Sequence, residues 1–135
     1  MTSLSTELFA LLAMLVVAIA YILVPTHFRN KETGIEWNMG PRDDPGPPMG
    51  ELTGRLMRAK ANLFETLAIY IGALLIVELQ NIHTLLTGIA AWIYPLSRIA
   101  YMPLYAYGVP GPRTAAWAIG LMAIAALIVA PFLPS

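Results

Sequence analysis

The stretch that decides the fold runs from Gly54 to Glu78, "GRLMRAKANLFETLAIYIGALLIVE". Its first half reads like the surface of a soluble helix and its second half like a membrane span. Only twelve uncharged residues separate Glu65 from Glu78, and a helical crossing takes about 20. A helix that crosses here must therefore include its charged first turns. At ~100° per residue, Arg55, Arg58, Asn62 and Glu65 fall within roughly 80° of one another. Lys60 points elsewhere and has the reach to snorkel. The outcome is one polar stripe entering an apolar helix. Charges facing lipid are costly, so the stripe is expected to face a bundle interior or a water-filled cleft.

The rest of the chain supports a membrane setting. Its 135 residues suggest one domain. They are 58% hydrophobic and 12% charged, where about a quarter charged is usual for a soluble domain. Residues 8–24 and 114–135 carry no charge at all. Formal net charge is zero, with no basic tail, which argues against nucleic acid as a partner. The absence of cysteine excludes disulfides, thiolate metal sites and a protein thiol nucleophile.

We expect an all-α, integral membrane four-helix bundle in a single domain, with spans near residues 4–24, 55–79, 82–107 and 113–130. Pro25 is expected to end the first span. Nothing basic precedes that span and Glu7 is acidic, so it reads as a retained span rather than a signal peptide. Residues 25–54 form a polar loop containing "GPRDDPGPPMGELTG", whose prolines and glycines argue against a long helix. "LQNIH" marks a tight turn, Pro95 and Pro103 should break or bend the third span, and "YGVPGP" makes the next turn. The long loop carries Arg29, Lys31 and Arg42, and Arg113 flanks the third connection. The positive-inside rule then puts the long loop in the cytoplasm and both termini outside.

The third span has a stripe of its own. Tyr94, Arg98, Tyr101 and Tyr105 lie within about 60° on a helical wheel. Two plainer readings compete with a binding site. Arg58 and Glu65 would make a structural ion pair with Asn62 as interhelical glue, and Tyr101 and Tyr105 would belong to an aromatic belt. The charge balance favours the site. Arg55, Arg58, Arg98 and Arg113 face only Glu65 as an obvious acidic partner. Surplus guanidinium in a half-buried cleft calls for an anion, and Arg suits bidentate capture of carboxylate or phosphate. The expected ligand is small, polar and multiply anionic, and Glu65 is free to take an amine on it.

The segment "RLMRAKANLFE" resembles the signature of the MAPEG proteins, the membrane-associated proteins in eicosanoid and glutathione metabolism. Their second span carries an R-x-x-R-A-x-x-N-x-x-E pattern, matched by Arg55, Arg58, Ala59, Asn62 and Glu65. Arg98, Tyr101 and Tyr105 are similar to the family's third-span residues, and Arg113 fills the place of a further Arg before the fourth span. The loop "WNMGPRDDPGPP" is similar to the bacterial branch. The resemblance implies a homotrimer with glutathione bound between neighbouring protomers. Arg55, Arg58, Asn62, Glu65, Arg98, Tyr101 and Tyr105 would bind glutathione, and Arg113 would be the catalytic residue that activates its thiol. Arg29 is a further basic candidate. Gly54 departs from the acidic residue that often precedes the first motif Arg in eukaryotic members. The implied function is a glutathione transferase or peroxidase acting on a lipophilic small molecule from the bilayer.

Family membership alone does not make an enzyme. A non-catalytic protein that binds membrane lipid on the same scaffold is the alternative. A small proton-coupled exporter is a third class, but Glu7 is the first span's only acid and lies near its end. No metal site is expected, since His27 and His83 fall at opposite membrane faces. Glu32, Glu36, Asp43 and Asp44 read as solvated loop acids, and Asp43 and Asp44 would steady the loop or cover the cleft mouth. The methionines read as core or lipid contacts.

Overall fold

The computed structural model describes residues 3–134. These form five α-helices and a closing 3₁₀ turn: α1 (Thr6–Thr33), α2 (Ile35–Met39), α3 (Glu51–Leu79), α4 (Leu85–Ala106), α5 (Pro110–Val129) and Ala130–Phe132. No strand occurs among the described residues. Three helices are long and apolar enough to cross a membrane: α1, α3, and α5 with its 3₁₀ extension. The expected third span, α4, has 22 residues, or about 33 Å at ~1.5 Å per residue. Arg98, three tyrosines and two prolines dilute its apolar character. Its outward residues Leu86, Ile89, Leu96 and Ile99 remain exposed and apolar.

Each helix end has a local cause. Ser5 caps α1 by accepting the Leu8 amide at 3.0 Å. Thr84 and Thr87 make a reciprocal capping box at the start of α4. Pro110 opens α5, where its missing amide costs nothing. The α3–α4 and α4–α5 turns share one device. Asn81 (φ 54°) and Gly108 (φ 70°) take left-handed conformations. The amides that follow then reach back, Ile82 to the Val77 carbonyl and Val109 to the Leu104 carbonyl, each at 3.0 Å. Gly108 is needed twice, because a Cβ there would lie 2.9 Å from Arg55 Cζ.

Proline behaves differently from expectation. Pro25 does not end α1, which continues through it to Thr33, and α4 runs unbroken through Pro95 and Pro103. A proline inside a helix strands the carbonyl four residues earlier. At Pro95 that carbonyl belongs to Ala91, and the Tyr70 hydroxyl donates to it at 2.9 Å. Beside the Ile99 carbonyl that Pro103 strands, Tyr21 donates to the Arg98 carbonyl at 2.6 Å. At Pro95 a neighbouring helix supplies the donor, as happens for proline at membrane depth.

The long loop is shorter and more ordered than its composition suggests. Trp37, on α2, is its hub. The Arg29 and Arg42 guanidiniums lie over its ring at 5.3 and 5.7 Å, and its Nε1 donates to the Asp44 carbonyl at 2.9 Å. Asp44 accepts the Gly46 amide, so this acid steadies the loop. Glu32 ties the loop to α3, accepting from the Gly50 amide at 3.0 Å and the Thr53 hydroxyl at 2.7 Å. It thereby caps a helix whose own cap position, Gly50, has no side chain to offer.

The four long helices share a core that includes Met14, Tyr21, Leu63, Tyr70, Leu74, Tyr94, Ile124 and Leu127. α5 lies mainly against α4. Gly120 allows close approach there, since a Cβ would sit 2.6 Å from Ser97 Oγ.

Candidate functional site

Arg98 is the centre of the site. It is fully buried on α4, one turn after Pro95. Its Nη1 donates to Asn62 Oδ1 at 3.0 Å and its Nη2 to Thr66 Oγ1 at 3.1 Å. Both acceptors lie on α3, one helical turn apart. The guanidinium carbon lies 5.1 Å from the Tyr94 ring centre and 5.2 Å from that of Tyr101. Tyr94 is itself fixed, by a 2.7 Å hydrogen bond to Thr66 and by stacking on Tyr70 at 4.4 Å. One polar atom remains: Arg98 Nε is buried without a hydrogen-bond partner. A buried donor left unpaired costs about 1–3 kcal/mol.

The remaining residues form a chain outward from Arg98. Tyr101 meets Tyr105 edge-on at 5.6 Å. Arg113, from the first turn of α5, lies 4.7 Å over the Tyr105 ring, and Arg58 lies 6.0 Å from it. Asn62, Tyr101, Tyr105 and Arg113 line one cavity of about 210 Å³ with Thr114 and Trp117. The packing of the helices thus brings residues of α3, α4 and α5 to one place.

Four expected residues do not line that cavity: Arg55, Arg58, Glu65 and the fully buried Arg98. Arg55 is bound elsewhere: it donates to the Ala106 carbonyl at 3.2 Å and pairs with Glu51, one turn earlier. Sequence reading counted Glu65 as the only obvious acidic partner for the arginines. Glu51 corrects that, and it escaped notice because residues up to Gly54 were assigned to the loop. Glu65 is exposed and forms no ion pair among the described residues. The plainer alternative of an Arg58–Glu65 pair is therefore absent. Among the described residues, Arg58, Arg98 and Arg113 have no carboxylate within 4.0 Å. Arg29 serves the loop, pairing with Glu32 at 3.2 Å under Trp37.

Thr66 and Trp117 were missed. Thr66 carried a signal, since it follows Asn62 by one turn and lies about 40° from it on the wheel. Trp117 comes from α5, where Arg113 is the only charge and no polar stripe singles it out.

A larger cavity, of about 870 Å³, opens at the other end of the helices, with Glu7, His83 and Trp92 in its wall and no arginine. Size alone would make it the default ligand site. The smaller one has Arg113 in its wall, with Arg58 and Arg113 both over the Tyr105 ring and Arg98 beside Tyr101, and that positive charge favours it for an anionic ligand.

An all-helical chain with three membrane-length apolar helices and a cationic cleft between helices is a membrane protein. It belongs to the MAPEG family, whose sequence profile matches residues 6–133. No curated protein and no solved structure matches the chain significantly.

Proposed function

We propose that this protein is a membrane-bound, glutathione-dependent transferase or peroxidase acting on lipophilic electrophiles. The observation that carries the reading is the charge of the cleft: among the described residues, Arg58, Arg98 and Arg113 have no carboxylate partner, and Arg98 keeps a buried donor unsatisfied. Glutathione brings two carboxylates, an ammonium and a thiol. Its carboxylates answer the guanidiniums, with Asn62, Tyr101 and Tyr105 as cavity contacts and Arg98 behind them, holding Asn62. Glu65 is free to take the ammonium.

Arg113 acts on the thiol. A free thiol titrates near ~8.5, and an adjacent guanidinium favours the thiolate. The thiolate sulfur donates its electron pair to an electrophilic carbon, a carbon–sulfur bond forms, and the leaving group departs with its bonding pair. The electrophile arrives through the bilayer.

The assembly we propose is a homotrimer with each site between neighbours. Two features of the single chain support it. Arg58 and Glu65 are exposed on a helix that has to cross lipid, which is costly unless another surface covers them. The cavity of about 210 Å³ is also smaller than the ~300–1,000 Å³ typical of ligand pockets, as half a site would be. We also propose four crossings with the basic connections cytoplasmic. Arg29, Arg42, Arg55 and Arg113 all lie at one end of the helices, which supports that orientation.

A non-catalytic lipid-binding role has one observation in its favour, an apolar groove of about 220 Å³ between α4 and α5 lined by Leu86, Ile93, Ile119 and Met122. Titrating glutathione into detergent-solubilised protein while following thermal unfolding separates the two readings. Glutathione at 100 times its dissociation constant adds about 2.7 kcal/mol. Stabilisation by lipid with none by glutathione would select the lipid-binding role.

A further inference from the structure

The far end of the helices holds a second unbalanced cluster, and it is acidic. Glu7 starts α1, Glu78 ends α3, and His83 sits in the turn before α4. One ligand atom from each lies within 4.8 Å of the others. His83 Nδ1 is 3.2 Å from Glu7 Oε2 and 3.9 Å from Glu78 Oε1. Glu7 is 2% exposed, and no Lys or Arg forms an ion pair with either acid among the described residues. Two carboxylates therefore share one half-exposed imidazole. A buried carboxylate needs a compensating cation, and neutral or protonated, one imidazole leaves the group net negative.

We propose that Glu7, Glu78 and His83 bind one divalent transition-metal ion of the zinc class, tying α1 to the α3–α4 turn. The donor set of one imidazole nitrogen and two carboxylate oxygens suits such an ion. Zinc bonds of ~2.0–2.2 Å in a tetrahedron place neighbouring ligand atoms about 3.4 Å apart. The 3.2 and 3.9 Å separations from His83 need only small adjustments, and the two carboxylates, within 4.8 Å of each other, close by about 1.4 Å at most. Outer partners are in place as well. Thr87 donates to Glu7 Oε1 at 2.6 Å, which leaves Oε2 for the ion, and Ser5 donates to Glu78 Oε1, which leaves that oxygen's second lone pair, or Oε2, for the ion. Such partners orient metal ligands. Glu7 and His83 also line the cavity of about 870 Å³, which gives the ion an entry path and a place for a water ligand. Binding at Nδ1 requires that nitrogen to release any proton it holds, and the ring hydrogen then sits on Nε2. The site lies about 35 Å from Arg55, at ~1.5 Å per residue of α3, and is independent of glutathione binding.

Zinc ion alone, titrated into metal-stripped full-length protein in detergent, tests the proposal. We expect one zinc per chain, a thermal midpoint raised by zinc and restored by chelator, and at least tenfold weaker binding in His83→Gln and Glu78→Gln. Thr87→Val should weaken binding about tenfold or more through the lost outer partner. No saturable uptake overturns the proposal. So does uptake unchanged in His83→Gln, or lost instead in His27→Gln. If a variant does not fold, zinc X-ray absorption of the wild-type protein decides: one imidazole nitrogen with oxygens supports the site, and a shell without imidazole refutes it.

Discussion

Tyr70 donates its hydroxyl to the Ala91 carbonyl at 2.9 Å, the carbonyl that Pro95 strands. The ring that does so also stacks on Tyr94, beside Arg98. A proline in α4 is thus compensated from α3, and the compensating residue buttresses the site. Tyr70→Phe should cost about 1–3 kcal/mol by leaving that acceptor unmet. Adding Pro95→Ala restores a backbone amide and should recover most of the loss. Denaturant unfolding in micelles reads both. Equal stability of Tyr70→Phe and wild type would show that the bond contributes nothing.

Arg98→Lys keeps the charge and loses the planar fork that spans Asn62 and Thr66. Glutathione affinity should fall at least tenfold, about 1.4 kcal/mol. Thr66→Val, which removes one acceptor and the anchor of Tyr94, should weaken binding less. Calorimetric titration measures both, and a Lys variant with wild-type affinity would remove Arg98 from the site.

Arg113→Ala should separate binding from chemistry. If Arg113 stabilises the thiolate as proposed, the bound thiol titrates below its usual ~8.5. Without it the thiol titrates higher. Turnover at neutral pH should fall and partly return as pH rises, while the dissociation constant of glutathione changes little. A pH–rate profile identical to wild type would contradict this role.

Gly108→Ala forces a side chain into a left-handed conformation and against Arg55. The backbone effect alone is about 1–2 kcal/mol. Gly111→Ala, where a Cβ meets nothing within 4 Å, should be neutral or stabilising by about 0.5–1 kcal/mol. Thermal melts of the pair compare them directly, and equal losses would point to a general intolerance of the connection.

The helical wheel put Arg98, Tyr101 and Tyr105 on one face of α4 and Asn62 on the stripe of α3, because helix geometry is local: once a segment is helical, its residues' directions follow from spacing alone. Arg113 joined them through family resemblance. What escaped was settled by distant neighbours. Pro25 reads as a stop and Pro95 and Pro103 as breaks or bends, yet the helices continue through all three. At Pro95 the remedy is a hydroxyl from another helix, which no local rule contains. Glu51 was hidden because Gly54 read as loop, although Glu32, far earlier in the chain, caps the helix ahead of it. Glu7 and His83 are 76 residues apart, so only the packed chain reveals them as neighbours.

The uninterrupted first helix has a mechanical result. Its 28 residues run about 42 Å at ~1.5 Å per residue, against ~30 Å of hydrocarbon. The surplus is a stiff lever beyond the acyl chains, and Glu32 at its tip grips the opening turn of α3. Any rocking of that rod is therefore felt where α3 begins, just ahead of Arg55.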